Sequence, residues 1–215
     1  MCHFLLTTII NKCILRIKTM KLAIDLNDVI RDYSRNFVKY FKKGINHAFS
    51  EDDVEFYTND MQILLPFKSE EQYRRFVYED YPFELYGKCP AVEKNLPRDL
   101  NEWLEFVLPE DDIEVMFVSP MECDLTIQST FSFLAKIGSR VREVYFPVDS
   151  ATVWDKCDVL ITANPRFFAN KKDGKTIVKI NKEYNKECTA EFEYDTLAEI
   201  IQDKQFIEKI GKYEE

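Results

Sequence analysis

The 215-residue chain is poor in glycine (5) and proline (8), which excludes collagen-like, linker-rich and low-complexity chains. It has no C-x-x-C pair and only two histidines, His3 and His47. Its six cysteines (Cys2, Cys13, Cys89, Cys123, Cys157 and Cys188) are scattered, whereas a zinc site needs clustered soft ligands. A chain of this size needs no disulfide scaffold, so reduced, mostly buried thiols in a cytoplasmic protein are expected. Positive charge is also short: 29 Lys and Arg face 38 Asp and Glu, a formal charge of -9. A nucleic acid duplex is repelled by such a surface, although a locally positive pocket for a small anion is not excluded. Hydrophobic residues, at 46%, suffice for the core of one domain, or of one domain with a modest insertion.

Residues 1–20 form a distinct leader. Its apolar run at 4–10 is too short to cross a bilayer, and membrane association is not expected. Lys12, Arg16 and Lys18 follow that run rather than precede it, and no small-residue cleavage site appears, so it is not a secretory signal. Ile9, Ile10, Cys13, Ile14 and Ile17 fit one face of an amphipathic helix. The alternative is an upstream extension, with the natural start at Met20, directly before a strand.

Residues 21–24 read as a short buried strand ending in Asp25, and 27–41 as a helix stopped by Gly44. Between Tyr33 and Tyr86 lie 14 of the 30 aromatic residues, which predicts a small helical layer with its own core. Leu100, Trp103, Leu104 and Val107 define a further helix face. Residues 113–119, 141–146, 158–162 and 175–180 are apolar runs separated by helical segments. This pattern predicts an α/β fold with a parallel sheet and right-handed crossovers. The tail, 195–210, reads as helix.

Ligands of such sheets sit beyond the carboxyl ends of the strands, here Asp25, Ser119, Pro147 and the residues from Thr162 onward. Two readings of Asp25-Leu26-Asn27-Asp28 stay open: a phosphate or metal site at a helix start, or a plain helix cap. Arg31 and Arg35 fall about one helical turn apart and offer two readings: reaching an anion between cap and core, or surface ion pairing, which is the default expectation. Arg74 and Arg75, among Tyr73, Tyr78 and Tyr81, offer a base-stacking surface or simple packing and pairing within the helical layer.

LAIDLNDVI (22–30), VMFVSP (115–120) and CDVLITANP (157–165) resemble, in order, motifs of the haloacid dehalogenase superfamily. The layout is similar to its 5'(3')-deoxyribonucleotidase branch, and the late stretch GKTIVKINKEYN (174–185) extends the resemblance over nearly the whole chain after the leader. The resemblance implies a three-layer Rossmann-like core at 21–32 and 96–215, with a small helical cap at 33–95 inserted after the first strand and helix. It implies Asp25 as a nucleophile that forms an aspartyl phosphate, and Ser119 as the hydroxyl that binds phosphate oxygens. Asn27 stands at the general acid/base position, but an amide cannot exchange a proton near neutral pH. Thr162 and Ala163 stand where an acidic pair would hold Mg²⁺. Lys136 and Arg166 are the cations available to a phosphate, the second at the rim of the expected site.

Together these departures imply a phosphatase fold without phosphatase chemistry, with no metal site and no cofactor. Such a protein acts by binding a nucleotide or small phosphomonoester, or a protein partner or larger assembly. The alternative is an active phosphohydrolase with Asp25 as nucleophile and Mg²⁺ as cofactor.

Overall fold

The computed structural model describes residues 19–108, 113–119, 124–141 and 143–211. The leader before residue 19, Cys2, Cys13, His3, Pro120 and Cys123 lie outside the described residues. Six parallel strands form one sheet in the order β3-β2-β1-β4-β5-β6. They are β1 (Met20–Asp25), β2 (Ile113–Val118), β3 (Glu143–Tyr145), β4 (Val159–Thr162), β5 (Thr176–Ile180) and β6 (Phe192–Tyr194). The chain winds outward from β1 through β2 to β3, then returns beside β1 at β4 and winds the other way. Asp25 therefore ends the central strand at the switch point, where such sheets place ligands.

Alternation along the strands builds two apolar layers. Leu22, Ile24, Phe117, Ile161 and Val178 enter the core on one face. Ala23, Met116, Val118, Leu160 and Ile177 enter the core on the other. The first face is covered by α4 (Leu96–Glu102) and α7 (Leu197–Gln202). A third cluster stands apart, centred on Phe37, Phe41, Phe76, Leu85 and Tyr86. It joins α1 (Tyr33–Gly44), α2 (Met61–Leu64) and α3 (Glu70–Arg75), with Phe37 of α1 stacked on Tyr73 of α3 at 6.2 Å and Met61 of α2 buried among them. Two π-helical turns, Phe76–Asp80 and Phe83–Gly87, complete this layer. It lies between β1 and β2 in the chain, as the aromatic concentration predicts.

Three expectations need correction. The first helix starts at Tyr33, not near Asn27. Asp28 adopts φ 60°, a left-handed conformation that a right-handed helix cannot contain. Its carboxylate instead reaches forward to accept the Ser34 amide at 2.8 Å, replacing the local cap that Asp32 does not supply. Second, the strand expected at 141–146 shortens to β3. Third, the sheet carries an additional edge strand, β6, too short to show alternation in the sequence. The tail helix divides into α7 and α8 (Phe206–Gly211).

The helical layer is fastened to the sheet domain by its two linkers. Asp32 N donates to Pro90 O and Val92 N to Ile30 O, both at 2.9 Å, so the outgoing and returning chains pair. Beside them Gly87 packs against α5 (Asp124–Lys136). A Cβ there would stand 3.1 Å from Ser129 O and 2.7 Å from the Phe83 ring, so this approach favours glycine.

Candidate functional site

β1 delivers Asp25 to the sheet's carboxyl edge, where its side chain is fully buried. One oxygen accepts the Thr162 hydroxyl at 2.8 Å and the other accepts the Asn27 amide at 3.3 Å. Burial pushes the carboxyl up from 3.8 to about 7, outweighing the opposing pull of Thr162, the Asn27 amide and Arg31. Thr162 ends β4, and its oxygen also accepts the Asn164 amide at 2.9 Å. Ala163 O accepts the buried amide of Asn185 at 2.9 Å, which ties the loop after β5 to the end of β4. Neutral groups thus occupy the positions next to Asp25 on the β4 side.

On the other side stands Arg31, with no exposed surface. Its Nε donates to Asn27 Oδ1 at 2.6 Å and its Nη2 to Ser119 Oγ at 2.9 Å. Its Nη1 donates to Thr130 Oγ1 at 3.1 Å and to Tyr86 O at 3.4 Å. The guanidinium also lies over the rings of Tyr86 and Phe133, 5.0 and 5.9 Å from their centroids. Surface pairing, expected for Arg31, is therefore wrong. Because the left-handed turn at Asp28 delays the helix, Arg31 sits in an extended linker that pairs with Ala91, and its side chain points inward. Among the described residues it forms no ion pair; its partners are neutral oxygens.

Of the phosphate-binding candidates, Ser119 follows Val118, the β2 register partner of Asp25, while Lys136 and Arg166 stand elsewhere. Ser119 is buried at the end of β2, its hydroxyl accepting from Arg31. Lys136 is exposed in the last turn of α5. Arg166, on α6 (Pro165–Ala169), pairs with Asp60 of the helical layer at 3.2 Å. Asn27 is half-buried, its side-chain oxygen engaged by Arg31 and its amide by Asp25. Asp28 accepts from Ser34 N, from the Ser34 hydroxyl and, at 2.9 Å, from Tyr184 Oη.

Sequence reasoning left Arg31 at the surface by default and missed its buried network, together with Thr130, Tyr86, Tyr184 and Asn185. Their partners lie between 55 and 156 residues away for Arg31–Tyr86 and Asp28–Tyr184, with no spacing to reveal them. Burial also pushes the thiols of Cys89 and Cys157 up to about 12, which suits inert core cysteines.

The cluster offers Mg²⁺ a single carboxylate, Asp25. An octahedral oxygen shell draws on carboxylates, and Asp25 contributes one carboxyl whose oxygens already hold Thr162 and Asn27. Thr162 and Ala163 add no carboxylate, and no three His, Cys, Asp or Glu converge among the described residues.

Above this sealed cluster lies an open cleft of about 490 Å³ between the sheet edge and the helical layer. Asn27, Asp28 and Tyr184 form its floor; Tyr33, Tyr73 and Tyr78 form its helical wall. Asp25, Ser119 and Arg31 do not line it. The Asn59 amide bonds to Asn164 at 3.0 Å, and with Arg166–Asp60 it closes one side.

No protein-family model matches the chain, and no curated protein matches it. Its fold is nonetheless shared with solved structures. A haloacid dehalogenase-like hydrolase from Bacteroides fragilis superposes with a TM-score of 0.58 at 12% identity, covering 85% of this chain and all of that one. A haloacid dehalogenase-like hydrolase from Burkholderia xenovorans LB400 gives 0.54 at 10% identity, covering 87% of this chain and 97% of that one. A dehalogenase with an intermediate complex gives 0.52 at 12%, covering 86% and 96%. The chain thus has the Rossmann-like haloacid dehalogenase fold with a helical cap after the first strand. No helix among the described residues is long and apolar enough to cross a membrane.

Proposed function

We propose that this protein is a non-hydrolytic member of the haloacid dehalogenase fold that works by binding in the cleft between cap and core. The observation that carries this is the Arg31–Ser119 bond at 2.9 Å. That bond holds the hydroxyl which the sequence resemblance assigns to phosphate oxygens within the buried cluster, and neither Ser119 nor Asp25 lines the open cleft.

Three further points support the reading. A carboxyl with its pKa near 7 is a weak nucleophile where it holds its proton. Asn27 cannot shuttle a proton, and its oxygen is held by Arg31. Without a metal anchor, an incoming phosphate would meet Asp25 without the cation that offsets two anions. The cleft, by contrast, is open, and aromatic and polar side chains converge on it.

The test is phosphate release. The full chain is incubated with Mg²⁺ and a panel of nucleoside monophosphates and small phosphomonoesters, beside an Asp25→Asn control. The reading predicts equal background rates. Turnover that disappears in Asp25→Asn rejects it in favour of an active phosphohydrolase.

A further inference from the structure

The cleft carries information about its ligand that the sequence resemblance does not. Its charged lining consists of Asp28, Asp60, Asp149 and Arg166. Asp60 and Arg166 are paired at 3.2 Å and largely cancel. Asp28 and Asp149 remain, and no lysine lines the cleft. Asp28 is buried and takes hydrogen bonds only from neutral donors, Ser34 and Tyr184. Among the described residues it has no ion-pair partner. Asp149 lies exposed in the loop after β3, with one oxygen accepting the Ala151 amide at 3.0 Å. The negative field is felt by the Tyr184 phenol: burial, then the charge and hydrogen bond of Asp28, push it well above its ordinary range.

We propose that the cleft takes a small organic cation, an ammonium-bearing molecule, rather than a nucleotide or other phosphate ester. Its ammonium group is drawn to the carboxylates of Asp28 and Asp149, and its carbon skeleton lies along the tyrosine wall. Phenol faces attract alkylammonium groups, and Tyr33 and Tyr73 stand on this wall. An anion entering the same space meets two carboxylates against one guanidinium that is already paired. A bare divalent metal is less suited, because the three carboxylates stand on separate elements and form no metal-binding group.

The inference rests on the cleft being a binding site, and its test is separate from phosphate release. The full chain is titrated calorimetrically with spermidine, choline, adenosine and adenosine 5'-monophosphate at low ionic strength. Spermidine or choline is expected to bind, adenosine to bind more weakly, and the monophosphate to bind least. Amine affinity falls as salt rises. Asp149→Asn keeps an oxygen for the Ala151 amide and is expected to weaken amine binding about two- to fivefold, as for an exposed charge. The proposal is overturned if neither amine binds at millimolar concentration or if the monophosphate binds as tightly as adenosine. It is equally overturned by amine binding that is indifferent to salt and to Asp149→Asn. Asp25-dependent phosphate release would defeat the non-hydrolytic reading, whereas the titration alone would defeat the ligand class.

Discussion

Replacing Arg31 by alanine removes a guanidinium that joins β1's loop, the end of β2, α5 and the second π-helical turn. The structure gives the guanidinium four acceptors: Asn27, Ser119, Thr130 and the Tyr86 carbonyl. Hydrogen bonds to a charged donor are worth about 1.5–3 kcal/mol each. They share one donor and do not add, and removing the charge also recovers its desolvation cost. Leaving buried neutral acceptors without a donor, with a cavity in place of the side chain, sets the net loss at about 3 kcal/mol. For a chain of this length each kcal/mol moves the melting temperature by about 2–4 °C, so a fall on the order of 10 °C is expected. Differential scanning calorimetry reads it. Methylguanidinium at millimolar concentration refills the void and restores part of the loss. Methylammonium, with the same charge but no planar fork, restores less. A fall below about 2 °C, or equal rescue by both ions, refutes the role given to Arg31.

The Asp25 carboxyl gives a pH prediction. Its folded value near 7 exceeds the ordinary 3.8, so the folded chain keeps a proton that the unfolded chain releases. Stability therefore falls as pH rises from about 4 to about 7, by at most about 4 kcal/mol. Asp25→Asn should remove that slope, with a gain over the native chain above pH 7 and little gain near pH 4; denaturant titrations across this range check it. Asn27→Asp places a carboxylate 2.6 Å from Arg31 Nε. The new charge should pair with the guanidinium and stabilise the fold by about 1 kcal/mol without creating Mg²⁺ affinity. Calorimetry with Mg²⁺ checks this, and tight metal binding by that variant would contradict it.

Much of the architecture was legible because it depends on local pattern. The apolar runs around Leu22, Phe117, Leu160 and Val178 report strands buried on both faces, and their alternation with helices fixes parallel connections. The aromatic cluster around Phe37 and Phe76 was visible as composition alone. Asp25 and Ser119 were readable as strand-end residues. The helix start was misplaced because Val29, Ile30 and Tyr33 keep helical spacing while Asp28 turns left-handed, a conformation that asparagine and aspartate tolerate but do not announce. Arg31 was hidden for a related reason. An arginine between Ile30 and Asp32 reads as a surface charge, and its acceptors Tyr86, Ser119 and Thr130 are brought to it only by the tertiary fold. Lys136 illustrates the converse: its charge suits phosphate, but the last turn of α5 holds it exposed.

The most direct measurement is a crystal structure after soaking with Mg²⁺ and beryllium fluoride, which mimics a phosphorylated aspartate. The expected result is an unchanged floor: the guanidinium of residue 31 still on the serine hydroxyl, and the first aspartate still capped by the threonine. Density for a beryllium adduct on that aspartate, beside a six-coordinate magnesium, would show a working phosphoryl-transfer centre and contradict the account.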